Sequence, residues 1–111
     1  MSQPTKMIFT RDRTITLQFD LRRNITGDTI YFAMKNDRKS DYYDIEPIEC
    51  TINDAVAGLA EVTITNDLTM NLPTSMYYGE LMRITASGAV QTLQMYEIDL
   101  RSEIVSSRDI S

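Results

Sequence analysis

Through most of this chain polar and apolar residues alternate with a period of two. Thr14-Ile15-Thr16-Leu17-Gln18-Phe19-Asp20 sets Ile15, Leu17 and Phe19 on one side of an extended segment, which predicts a half-buried strand over 14–20. The same spacing predicts a strand over 28–35, with Ile30, Phe32 and Met34 inward and Thr29, Tyr31 and Ala33 opposite. A third falls over 59–65, with Ala60, Val62 and Ile64 on one face. Between these the chain carries turn chemistry. Thr26-Gly27 supplies a residue free to take angles that others avoid, and 36–41 is a wholly polar run suited to a hairpin tip.

The remaining segments are less regular. Residues 42–52 favour extended structure, but Pro47 has no N–H for a ladder, which predicts an edge or bulged strand. Residues 66–75 allow one helical turn begun by Asn66 or Asp67 and ended near Pro73. Two long strands follow, 76–86 and 89–101, joined through Ser87-Gly88 as a two-residue hairpin connection. In the second, Val90, Thr92, Gln94, Tyr96, Ile98 and Leu100 share a face, and Leu93 and Met95 lie on the other. With 5–9 added, about seven strand-like runs separated by turn signals predict an all-β, antiparallel β-sandwich of immunoglobulin-like or jelly-roll-like type. No stretch sustains a helical period. The domain is expected to span 1–103, with 104–111 a polar tail, and the polar residues 102–111 are expected to fray.

Composition narrows the chemistry. The 111 residues suit one domain, and they include no histidine, no tryptophan and a single cysteine, Cys50. Histidine-based acid and base work, Ser-His-Asp triads, Cys-His pairs and zinc sites of histidine or several cysteines are thereby excluded within the chain. Cys50 has no histidine to lower its pKa and reads as a small buried side chain. The carboxylates Asp37, Asp41, Asp44 and Glu46 do not follow a calcium-loop spacing, and Arg38 and Lys39 interrupt them. Glu61, Glu80 and Glu97 read as solvent-facing partners of Arg83, Arg101 or Lys35 across neighbouring strands. No catalytic residue, metal site or cofactor is expected, and no scattered glycine forms a phosphate loop.

The net charge of −5 disfavours nucleic acid, and no apolar run reaches the length of a membrane span. Charge is unevenly placed, however. Residues 1–26 hold Lys6, Arg11, Arg13, Arg22 and Arg23 against Asp12 and Asp20, a surplus of three, so the rest must carry −8. Arg11, Arg13, Arg22 and Arg23 are therefore candidate docking residues. Tyr42, Tyr43, Tyr77 and Tyr78 join them, because tyrosine offers a flat face with one polar tip. Adjacent tyrosines on a strand point to opposite faces, so one of Tyr77 and Tyr78 should face outward.

Several of these segments, in this order, resemble the N-terminal domain of phage baseplate upper proteins and related small β-sandwich modules of tailed-phage structural proteins. The resemblance is carried by Thr14-Ile15-Thr16-Leu17, by Asn24-Ile25-Thr26-Gly27-Asp28-Thr29-Ile30-Tyr31-Phe32, and by Ala57-Gly58-Leu59-Ala60-Glu61-Val62-Thr63-Ile64-Thr65. Met76-Tyr77-Tyr78-Gly79-Glu80-Leu81 continues it, with Met76 where the family often has glycine, and the whole spans roughly residues 7–101. It implies a non-enzymatic virion structural or adaptor protein, made in the host cytoplasm and assembled into the particle at a baseplate, tail, neck or fibre attachment. Its partners would be further copies of itself and other virion structural proteins, with neither nucleic acid nor membrane involved. A small carbohydrate-binding β-sandwich module, using outward tyrosines, is the alternative expectation.

Overall fold

The computed structural model describes residues 4–110; residues 1–3 and Ser111, the last residue of the expected tail, lie outside the described residues. Eight strands are present among the described residues: β1 (Thr5–Thr10), β2 (Ile15–Asp20), β3 (Thr29–Lys35), β4 (Ile45–Glu49), β5 (Thr51–Asp54), β6 (Leu59–Ile64), β7 (Ser75–Ile84) and β8 (Val90–Arg101). They form a β-sandwich, a five-stranded sheet in the order β1-β8-β7-β3-β4 over a three-stranded sheet in the order β2-β6-β5. Taking β2 to β8 as strands B, C, C′, D, E, F and G, this is an immunoglobulin-type strand order rather than a jelly roll. One ladder departs from the antiparallel expectation: β1 runs parallel to β8, with Met7 beside Ile98 and Phe9 beside Leu100.

The expected inward rows are the core. Ile30, Phe32 and Met34 from β3 and Ala60, Val62 and Ile64 from β6 are buried, joined by Phe9, Phe19, Leu81, Ile98 and Leu100. Tyr96 bridges the two sheets at the centre, its ring 6.3 Å from that of Phe19 on β2 and 6.1 Å from that of Phe32 on β3. Burial pushes the Tyr96 hydroxyl up to about 12.

The predicted strand over 42–52 is two strands in different sheets. β4 is the edge of the larger sheet, and its register with β3 shifts between Phe32 and Met34, beside Pro47. At Cys50, whose N–H donates to the Ile30 carbonyl at 2.8 Å, the chain crosses to the smaller sheet. The helical turn expected after β6 is a single 3₁₀ turn, Asn66–Leu68. The β7–β8 connection is longer than predicted. Thr85 and Ala89 still pair through a backbone bond, leaving the three-residue loop 86–88, in which Gly88 takes a φ of +92°.

The face assignment of β8 also needs correction. Leu81 pairs with Gln94 but Met82 pairs with Thr92, so Leu93 is an extra residue on β8 and the alternation flips there. Tyr96, Ile98 and Leu100 face the core as expected, whereas Thr92 joins Met95 on the outer face.

Tyr77 was a candidate docking residue, and the structure removes it. Its ring is 1% exposed at the start of β7, and its hydroxyl donates back to the Pro73 carbonyl at 2.5 Å. That is the tyrosine corner of immunoglobulin-type sandwiches. Two residues on, where antibody domains have a half-cystine, this chain has Gly79. A Cβ there would lie 2.9 Å from Ile98 Cδ1 and 3.2 Å from the Phe32 ring, so the aromatic ring fills the space beside the missing side chain.

The tail does not fray as expected. Residues 102–110 fold back along the β1–β2 turn and close on a second 3₁₀ turn, Ser107–Asp109. Glu103 bonds Arg11 at 3.0 Å, Arg13 donates to the Val105 carbonyl at 2.9 Å, and Ser107 donates twice to Asp12. Sequence hydrophilicity at 102–110 therefore reflects polar anchoring rather than fraying.

Candidate functional site

The two outer faces of the sandwich differ in kind. On the smaller sheet the outward residues are mostly polar and engage one another: Thr16 bonds Thr63 across β2 and β6, and Asn53 donates to Glu61 at 2.8 Å. On the larger sheet, β3 presents Tyr31, Ala33 and Lys35, β7 presents Tyr78, Glu80 and Met82, and β8 presents Thr92 and Met95. The β3–β7 register pairs Tyr31 with Met82 and Lys35 with Tyr78, so aromatic, thioether and cationic groups meet in cross-strand rows.

These rows floor an open cleft of about 380 Å³ whose wall is the loop before β4, with Arg38 and Tyr43, and Pro47 of β4 itself. The wall is braced internally. Lys35 Nζ donates to the Ser40 carbonyl at 2.7 Å and lies 4.7 Å from the centre of the Tyr43 ring, a cation–π contact. Asp44 accepts the Asn36 N–H at 2.6 Å, and Asp37 accepts that of Lys39 at 3.0 Å. The loop carboxylates thus hold turns. On the floor, Glu80 accepts from the Thr92 hydroxyl.

Of the tyrosines singled out in the sequence, Tyr43 and Tyr78 line this cleft. Tyr42 projects away from it, 82% exposed, and Tyr77 lies in the core. The four arginines do not gather. Arg11 and Arg13 stand at one end of β2 and Arg22 and Arg23 beyond the other, a six-residue strand or roughly 20 Å apart. Arg11 is already engaged by Glu103 and by the Leu72 carbonyl at 3.1 Å. Arg22 and Arg23 are exposed and lie beside Gly58, at the β5–β6 turn.

Tyr31, Lys35, Arg38, Met82 and Met95 were not singled out in the sequence. Tyr31 and Lys35 were visible as the outward phase of β3. Met82 and Met95 come to line one cleft only through the β7–β8 pairing, which sets Met95 beside Glu80 and Met82 beside Thr92.

Other reactive groups are tied down. Cys50 is buried, and burial, with the neighbouring Glu49 carboxylate, pushes its thiol up to about 11. The expected carboxylate partners are also different ones: Arg83 bonds Asp28 at 3.1 Å and Gln91 at 2.7 Å, and Arg101 bonds Asp99 at 2.9 Å. The lining of the cleft offers stacking faces, a cationic rim and one carboxylate, the makings of a binding surface.

No family model matches the chain, and no curated protein matches it. Among solved structures, the chain is similar to a structure of murine CRIg, at 14% identity and a TM-score of 0.39, over 90% of this chain and 93% of that one.

Proposed function

We propose that this chain is a non-enzymatic structural or adaptor module of a tailed-phage particle, and that it docks on other virion proteins through the outer face of its five-stranded sheet. The observation that carries the docking surface is the pairing of methionines with tyrosines around the open cleft: Met82 and Met95 beside Tyr31, Tyr43 and Tyr78, with Arg38 at the rim. Tyrosine, methionine and arginine are residue types enriched at protein interfaces, and the first two bury large area with few polar groups to desolvate. The particle as the setting rests on the sequence resemblance alone.

The test uses the purified chain and the structural proteins encoded by neighbouring genes, with affinities read by interferometry. Tyr78→Ala with Met95→Ala is expected to weaken docking at least tenfold, whereas Thr16→Ala with Thr63→Ala, on the opposite sheet, leaves it unchanged. The reverse pattern would overturn the assigned face. Absence of the chain from the mass spectrum of purified particles would overturn the setting.

Carbohydrate binding is the second reading, favoured by three tyrosines converging on one cleft. A glycan array separates the two. Saturable binding of a sugar, lost in Tyr78→Ala, would replace protein docking as the function of this face.

A further inference from the structure

An antiparallel sandwich leaves four sheet edges, and they are not equally protected here. β4 carries Pro47, a register shift and the charges of Glu46 and Glu49; β5 has only four residues and a register shift between Ile52 and Asp54. These are the usual devices by which an edge refuses another strand. β2 shows none of them but ends in Asp20 and turns Thr16 and Gln18 outward. β1 is the exception. It is six residues long, pairs along its length with β8 without a register shift, contains no proline, and has Lys6 as its one charge. On its outer side Ile8 is 62% exposed, and on its inner side Met7 is only half-buried against the core.

We infer that the free edge of β1 is a self-association edge, pairing antiparallel with β1 of a second copy about a two-fold axis at Ile8. The chain's own β1 fits that place. Antiparallel pairing about Ile8 sets Ile8 against Ile8 of the second copy on the outer face, Met7 against Phe9 on the inner face, and Lys6 against Thr10. The exposed isoleucine and the half-covered methionine both gain apolar neighbours, and the two lysines do not oppose each other. Each Lys6 keeps its own β8 neighbour, Glu97, beside it. Shifting the axis to Met7 would bring Pro4, which has no N–H, opposite Thr10 and set Lys6 against Ile8. The favoured register joins two five-stranded sheets edge to edge in a closed, isologous dimer, which leaves the outer-face cleft of each copy open. This inference is independent of what the cleft binds.

Directly opposed residues in an antiparallel pair have Cα atoms about 4.5–5.5 Å apart, within disulfide reach. Ile8→Cys and Lys6→Cys, each in the full chain with Cys50 retained in its buried position, are oxidised with a mild disulfide reagent at about 100 µM. Ile8→Cys is expected to cross-link into a covalent dimer in most of the material, and Lys6→Cys only in traces. The unmodified protein is expected to sediment as a dimer at that concentration and as a monomer after Ile8→Lys, which sets two ammonium groups face to face. Equal cross-linking of the two cysteine variants, or a dimer that survives Ile8→Lys, would overturn the β1 edge as the interface. A monomer throughout for the unmodified chain would overturn self-association, with the interferometry of the cleft variants unaffected.

Discussion

The carboxylate of Asp12 accepts the backbone N–H of Ser107 at 2.7 Å and its hydroxyl at 2.8 Å, across 95 positions of sequence. Asn66 donates to the same carboxylate at 3.0 Å, and the Asp12 N–H donates to the hydroxyl of buried Thr69. One side chain in the β1–β2 turn, held at a φ of +62°, therefore ties together that turn, the 3₁₀ turn after β6 and the C-terminal segment. The hydrogen bond from Asn66, followed by those from Ser107, holds its carboxyl down at about 2, against an ordinary 3.8.

That depression sets a pH dependence. Because the folded-state pKa lies below the unfolded one, the stabilisation is fully present above about pH 4 and is lost as pH falls towards 2. Asp12→Asn should melt several degrees below the unmodified protein at pH 7, with the gap closing between pH 4 and 2. A gap that stayed constant over that range would show that the charge of Asp12 is not what the tail binds. Thermal melts at unit steps of pH are sufficient.

Tyr77→Phe keeps the ring in the core and deletes only the bond to the Pro73 carbonyl. Losing it should cost about 1–2 kcal/mol, or roughly 5–10 °C in Tm for a domain of this size. Urea denaturation should show a lower midpoint and an unchanged slope, since the surface exposed on unfolding is the same.

Arg83 and Asp28 form an ion pair with both side chains mostly shielded, 17% and 8% exposed, where β7 meets the turn before β3. Asp28→Ala strands the guanidinium with Gln91 alone and should cost roughly 2–3 kcal/mol, more than a surface pair would. Arg101→Ala, which breaks the more exposed pair with Asp99, should cost less than about 1 kcal/mol. Chemical denaturation of the two variants side by side tests the ranking.

Cys50 should be inert in the folded protein. With its thiol buried and its pKa raised to about 11, alkylation at pH 8 should proceed only as fast as the sandwich opens. Labelling followed by mass spectrometry should give a rate that rises steeply with urea. Rapid modification without denaturant would place the thiol at the surface.

The period-two pattern by itself determined the all-β class and the inward rows of β3 and β6, because one face of a strand must be apolar wherever it covers a core. The residues also located the disruption at Pro47, since a missing N–H is a property of one residue, and the single helical turn near Asn66, although that turn begins after Thr65 with no side-chain cap and the Asn66 amide is spent on Asp12. Which sheet each strand joins was decided elsewhere. The chain's switch of sheets at Cys50 and the parallel docking of β1 on β8 depend on contacts between residues far apart in sequence, and no local spacing encodes them. The same holds for the surface. Tyr77 and Tyr78 are chemically alike, and the pattern required only that they part; the inward phase of β7, with the Pro73 carbonyl in reach of the hydroxyl, made Tyr77 the core residue. The arginines of the first 26 residues looked like one patch because they are near in sequence, but a strand separates neighbours by over 3 Å per residue and carried them to opposite ends of β2. The tail looked unstructured because its residues are polar; the tertiary structure supplied Asp12, whose unspent acceptors give a polar segment something to fold against.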